Sequence, residues 1–148
     1  MSRRSETPTP TVPGRMPAAL LRFETFAVLW ATEPCIRILG FFPTARLFRR
    51  LGAVLHGLGF HRLLSASPEC CYRLLERQAE HALAPPGRCL THAVTLHFLL
   101  AQQGHASDIR LGVQNLIGGL RAHAWVEVAG QELASRPISQ LYIPLTNA

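Results

Sequence analysis

The sequence predicts an α+β fold with helices first and an antiparallel sheet after them. Three observations predict it. Apolar residues recur at helical spacing from about residue 17 to residue 103. From Ser107 the pattern changes to alternation, with Ile109, Leu111 and Val113 on one face. Ala129-Gly130 then reads as a hairpin turn between two further strands. Runs of helices followed by runs of strands define the α+β arrangement.

The elements follow in order. Residues 1–16 are rich in Ser, Thr and Pro with no apolar period, and are expected to be a disordered tail. Residues 17–148 form a single domain, a size that buries a substantial core. From Pro17 to Phe60 the pattern is helical and unusually apolar. Pro34, Gly40, Pro43 and Gly59 are expected to break it into two or three short helices. Ser67-Pro68-Glu69 is a helix start, with Ser67 as N-cap, Pro68 in the first position and Glu69 on the positive dipole end. That helix is expected to reach about Leu83, before the turn Pro85-Pro86-Gly87. The next runs from Cys89 to about Gln103 and stops at Gly104. It is apolar nearly all round, so it belongs at the centre of the core. Strands are predicted over Ser107–Val113, Ala122–Val128 and Gln131–Ala134, with a loop over Gln114–Gly119 and a final strand around Leu141–Pro144.

Composition narrows the function. The formal charge is +6, and all fifteen basic residues are arginine. Arg46, Arg49 and Arg50 cluster, as do Arg3 and Arg4. The clusters read as a solvated face and a loose tail, with an acidic peptide or protein as the other reading. Nucleic acid is not expected as a partner, because no aromatic residues interleave with the arginines as a stacking surface requires. Arg22 and Glu24 cut the apolar stretch Ala18 to Leu21 too soon for a secretory signal. The longest run without Asp, Glu, Lys or Arg, Cys89 to Ser107, holds too many polar residues for a transmembrane helix. A cytoplasmic location with reduced thiols is expected. The four cysteines, Cys35, Cys70, Cys71 and Cys89, form no CxxC pair, so no metal site and no cofactor is expected. Adjacent Cys70 and Cys71 read as packing residues.

Two segments carry chemistry. Gly87-Arg88-Cys89-Leu90 puts a thiol at a helix start, and Ala122-His123-Ala124-Trp125-Val126-Glu127 puts an imidazole on a strand. Free backbone N–H groups and the positive dipole end in a first helical turn favour thiolate, and Arg88 adds positive charge. The backbone N–H of Cys89 also suits an oxyanion. A cysteine nucleophile needs a base from elsewhere in the chain, and His123 is the first candidate. On local grounds two readings stay open, since a buried cysteine in an apolar helix and a satisfied core histidine fit the same spacing. His92 and His97 lie on the Cys89 helix and compete for the base role, His92 one turn away. Trp125 shares a strand face with His123 and would shield an ion pair from water. For the group that orients the base, the chain offers Glu127, Glu132 and Ser135 after the histidine, and its only aspartate, Asp108, before it. Glu132 reaches His123 if the hairpin register puts both on one face.

Together these segments resemble a known family. Cys89-Leu90, the apolar helix to Gly104, the strand Arg110-Leu111-Gly112-Val113 and the run Ala122 to Glu127 followed by Gly130 are similar to the transglutaminase-like leader peptidases of lasso-peptide biosynthesis. The similarity covers roughly residues 85–136. It implies a papain- or transglutaminase-like core, with a nucleophile helix packed on an antiparallel sheet that carries the histidine. It implies a cysteine protease that removes the leader from a ribosomally made precursor peptide. The released core is then closed to a macrolactam by a partner cyclase resembling asparagine synthetase. A small separate leader-binding protein is implied as a second partner. Carried over by position, Cys89 is the nucleophile and His123 the base, and the family's acid falls on Ser135. A serine hydrogen-bonds an imidazole but does not stabilise imidazolium as a carboxylate does. Three accounts follow: Glu132 substitutes, Ser135 orients the ring in a slower enzyme, or the chain is a weak or inactive scaffold that binds the precursor or the cyclase. A thiol acyl transferase is the further alternative, since similar Cys–His sites serve that chemistry.

Overall fold

A computed structural model describes residues 18–59, 66–81, 89–134 and 140–147. The tail over residues 1–16, the turn Pro85-Pro86-Gly87, Arg88 and Ser135 lie outside the described residues. Four helices pack on a four-stranded antiparallel sheet. The helices are α1 (Ala18–Leu39), α2 (Phe41–Gly57), α3 (Pro68–His81) and α4 (Cys89–Gln102). The strands are β1 (Asp108–Leu116), β2 (Gly119–Val128), β3 (Gln131–Glu132) and β4 (Ile143–Asn147), in the order β3-β2-β1-β4.

The first helical region differs from expectation. Pro34 does not break α1, which runs unbroken through it. The carbonyl deprived of its donor is that of Trp30, and Trp30 and Pro34 both lie on an exposed face of the helix. Pro43 sits in the first turn of α2, where its missing N–H is not needed. The turns fall where Gly40, at φ +84°, separates α1 from α2, and where Gly59, at φ +86°, follows the end of α2.

α4 occupies the centre and touches α1, α2, α3, β1 and β2. Ala93 to Gln102 are all buried, as the all-round apolar pattern predicts. Phe48 of α2 meets Phe98 edge-on, with ring centroids 5.9 Å apart. α1 is joined to α4 through polar contacts in the interior. The Thr32 and Thr95 hydroxyls lie 3.2 Å apart, and Gln102 Nε2 donates to Glu24 Oε1 at 2.6 Å. The far end of α4 is closed at Gly104, φ +81°, where Gly104 N donates to Ala101 O and His105 N to Leu100 O. This crossed pair satisfies carbonyls that a helix end leaves bare. α3 begins where Ser67 caps it, with Oγ accepting from Cys70 N at 3.2 Å.

The sheet is tighter than the sequence suggests. Gln114 to Leu116 continue β1 rather than forming a loop, and β1 and β2 pair without interruption from Asp108↔Glu127 to Leu116↔Gly119. Only Ile117-Gly118 turn between them. At the second hairpin Ala129 and Gly130 both have positive φ (51° and 76°), which matches the twist of the paired strands. Ile109, Ala124 and Val126 join the core beneath the helices. β4 adds to the free side of β1, with a register shift between Leu111 and Gly112.

Candidate active site

Cys89 is the first residue of α4 and is half-buried. The backbone N–H groups of a first turn have no acceptor within the helix, so they point out of its end. Burial along the rest of α4 fixes where that end lies. His123 lies on β2, half-buried, beyond the short stretch that β3 covers. Cys89 and His123 line one cavity of about 210 Å³. Its other walls include Tyr72 and Leu75 from α3, His92 and Leu96 from α4, and Leu133 after β3.

The floor beneath His123 was not foreseen. Its partner across β1 is Gly112. A Cβ on Gly112 would stand 2.8 Å from Trp125 Cζ3 and 2.8 Å from Tyr142 Cβ. The bare glycine therefore admits both side chains, and Tyr142 stacks on the His123 ring at 5.3 Å and 27°. Trp125 is held by its Nε1, which donates to Glu127 Oε1 at 3.1 Å. Glu127 also accepts from Arg110 Nε at 2.9 Å. These bonds commit Glu127 to the sheet, so it does not orient the histidine. A glycine within a strand signals a close approach, and Gly112 was the available clue. Tyr142 had none, because its approach depends on how β4 pairs.

Burial pushes the His123 pKa below its ordinary 6.5, and the negative charge of Glu132 opposes the shift. The ring is neutral at neutral pH and so able to take a proton. Glu132 lies opposite Glu127 in the register, not opposite His123, and acts on the ring through its charge. His92 shares the cavity with Cys89. His97 does not line it, and its Nδ1 lies 2.7 Å from the Ser107 hydroxyl. Burial and then Arg49 push His97 down to about 4, against the pull of Asp108. Of the adjacent cysteines, Cys71 is buried, as expected of a packing residue, but Cys70 is exposed. Burial and then the neighbouring Cys70 push the Cys71 thiol up to about 12, which removes it from nucleophilic chemistry. No group of three His, Cys, Asp or Glu side chains fit to hold a metal occurs among the described residues. Nor is any helix among them long and apolar enough to cross a membrane.

A core helix that begins at Cys89 and packs on an antiparallel sheet carrying His123 is a mixed α+β arrangement consistent with a transglutaminase-like fold. The comparison with protein families agrees: the profile described as "Transglutaminase-like superfamily" matches residues 35–142, and the chain belongs to that superfamily. Its members are generally cysteine-protease-like enzymes. No curated protein and no solved structure matches the chain.

Proposed function

We propose that this chain is a cysteine peptidase that cuts the leader from a ribosomally made lasso-peptide precursor. One observation carries the reading: Cys89 and His123, from segments far apart in sequence, line a single cavity. Superfamily membership supports the thiol chemistry, and the Cys89 to Gly130 motif similarity supports the leader peptidase.

The steps follow from the residues. His123 takes the thiol proton of Cys89, and Sγ attacks the carbonyl carbon of the leader–core amide. The Cys89 N–H, which has no acceptor within its own helix, holds the oxyanion. The protonated His123 gives its proton to the amine, the C–N bond breaks, and the core leaves with a free amino terminus. The leader remains as a thioester. His123 then takes a proton from water, hydroxide displaces the thiolate, and the leader departs as a carboxylic acid. Tyr142 holds the imidazole plane, while Glu132 and Ser135 are the candidates that orient or charge-balance it. The partners in this reading are a leader-binding protein and an asparagine-synthetase-like cyclase that consumes the freed amine, all in the cytoplasm. Mass spectrometry of precursor incubated with this protein and the leader-binding partner tests it. Wild type yields leader and core, and cleavage undiminished in Cys89→Ala sinks the proposal.

The commitment of Glu127 to Arg110 and Trp125 favours a second reading, a scaffold that binds precursor or cyclase without cutting. Iodoacetamide separates the two. A Cys89 that reacts at pH 6 no faster than a free thiol supports the scaffold.

A further inference from the structure

A second cavity, about 510 Å³, opens beside the first. Its walls are the first two turns of α3, with Pro68, Glu69 and Arg73, and the β2–β3 hairpin, with Val128 and Gln131. Tyr72 and Leu133 line both cavities. The two spaces are therefore neighbours across one sill. Tyr72 is fixed there, since its hydroxyl donates to Glu76, itself a wall of the inner cavity.

The two spaces differ in chemistry. The inner one has Leu75, Ala93, Leu96 and Val126 as its apolar walls, with Glu76 and the Cys89, His92 and His123 side at its polar edge, and its volume suits one apolar side chain. It is smaller than the roughly 300–1,000 Å³ of sites that enclose a whole ligand. The outer one carries charges of both signs, Glu69 and Glu132 against Arg73, and falls within that range. It also runs along β3, the two-residue strand at one edge of the sheet among the described residues, and a sheet edge is where an extended chain can add backbone hydrogen bonds.

We propose that the two cavities form one peptide-binding cleft. The inner cavity seats an apolar side chain next to the scissile amide. The outer groove holds the adjoining polar segment of the same substrate, extended along the Val128–Leu133 hairpin. The substrate class is thus a peptide recognised over several residues on one side of the cut. This rests on the reading of Cys89 and His123 as the catalytic pair. It adds what determines the choice of peptide.

The test measures binding apart from chemistry. A fluorescein-labelled peptide spanning the leader–core junction is titrated by anisotropy against Cys89→Ala protein, and against the same protein with Gln131→Trp or Arg73→Trp. Both added substitutions fill the groove from exposed positions on opposite walls. Each is expected to weaken binding about tenfold or more. Truncating the peptide on the side that occupies the groove is expected to abolish the difference. Equal affinity of the parent and both tryptophan variants overturns the proposal, as does a peptide that fails to bind the Cys89→Ala protein. A difference that survives truncation from either end also overturns it. In the cleaving enzyme, Gln131→Trp raises KM and leaves iodoacetamide labelling of Cys89 unchanged. If the tryptophan variants lose binding while wild type cuts nothing, the cleft stands and the peptidase reading falls.

Discussion

Replacing Gly112 by alanine puts a methyl group where two side chains already sit. The new Cβ would lie 2.8 Å from Trp125 Cζ3, 2.8 Å from Tyr142 Cβ and 2.9 Å from Trp125 Cη2. Carbon atoms rest at about 3.5–4.0 Å, so something must move by roughly 0.7–1.2 Å. The contact on Tyr142 is at its Cβ, close to the backbone, so a rotamer change does not relieve it. Trp125 is buried and tied by Nε1 to Glu127. Overpacking of this kind costs about 1–3 kcal/mol. The reduced freedom of the unfolded chain returns about 0.4–1 kcal/mol. At the middle of both ranges the net destabilisation is about 1.3 kcal/mol, or a melting temperature lower by roughly 3–5 °C for a chain of this size. Activity falls further than stability, because Tyr142 is the face against which His123 stacks. A misplacement near 1 Å costs about a hundredfold in rate. Calorimetry and the precursor cleavage assay, run on the same preparation, read both. An alanine variant that melts within about 1 °C of wild type and cuts at the wild-type rate refutes the account of the glycine floor.

Three further outcomes are expected. Because burial holds the His123 pKa below 6.5, the acid limb of the kcat/KM profile lies below that pH. Glu132→Gln removes the anion that favours the imidazolium, so the limb moves to still lower pH, and an unmoved limb excludes Glu132 from the electrostatics of the base. His97 is kept neutral in the fold, with its pKa near 4 against 6.5 in the unfolded chain. Its contribution is complete above pH 6.5 and fades as pH falls towards 4, on the order of 3 kcal/mol, so urea titrations across that window in wild type and His97→Gln should show the slope flattened in the variant. Peptide mapping after brief iodoacetamide treatment at pH 8 should find Cys70 alkylated and Cys71 untouched, and equal labelling would contradict the burial of Cys71.

The elements whose local signals agree with their packing were legible in the sequence. Ser67 caps α3, Gly104 closes α4, and the all-round apolar run marks α4 as the core helix. Ala129-Gly130 marks its hairpin because its positive φ angles are a local demand. Pro34 misled, because a proline disfavours a helix locally without always ending it, and what α1 gains by packing along its whole length is a property of the fold. Gln114-Asn115-Leu116 reads as loop from its polar residues, yet continuous pairing with β2 makes it strand. Cys89 and His123 were proposed from their neighbours in the chain, and the structure puts both on one cavity. Tyr142, Gly112 as a floor, and the sill of Tyr72 and Leu133 depend on register and on contacts between distant elements, and a single sequence does not encode these in local pattern.

β4 lies at the edge of the sheet, opposite β3, and its Ile143 and Leu145 are largely exposed. Edge strands with little buried surface open more readily than the core. Tyr142 immediately precedes β4, so each fraying of that strand frees the ring that steadies His123. In the peptidase reading proposed above, the base would then be lost while α4 and the hairpin remain intact. On warming, catalysis should fade ahead of the calorimetric transition, and recover at once on cooling from the interval between the two.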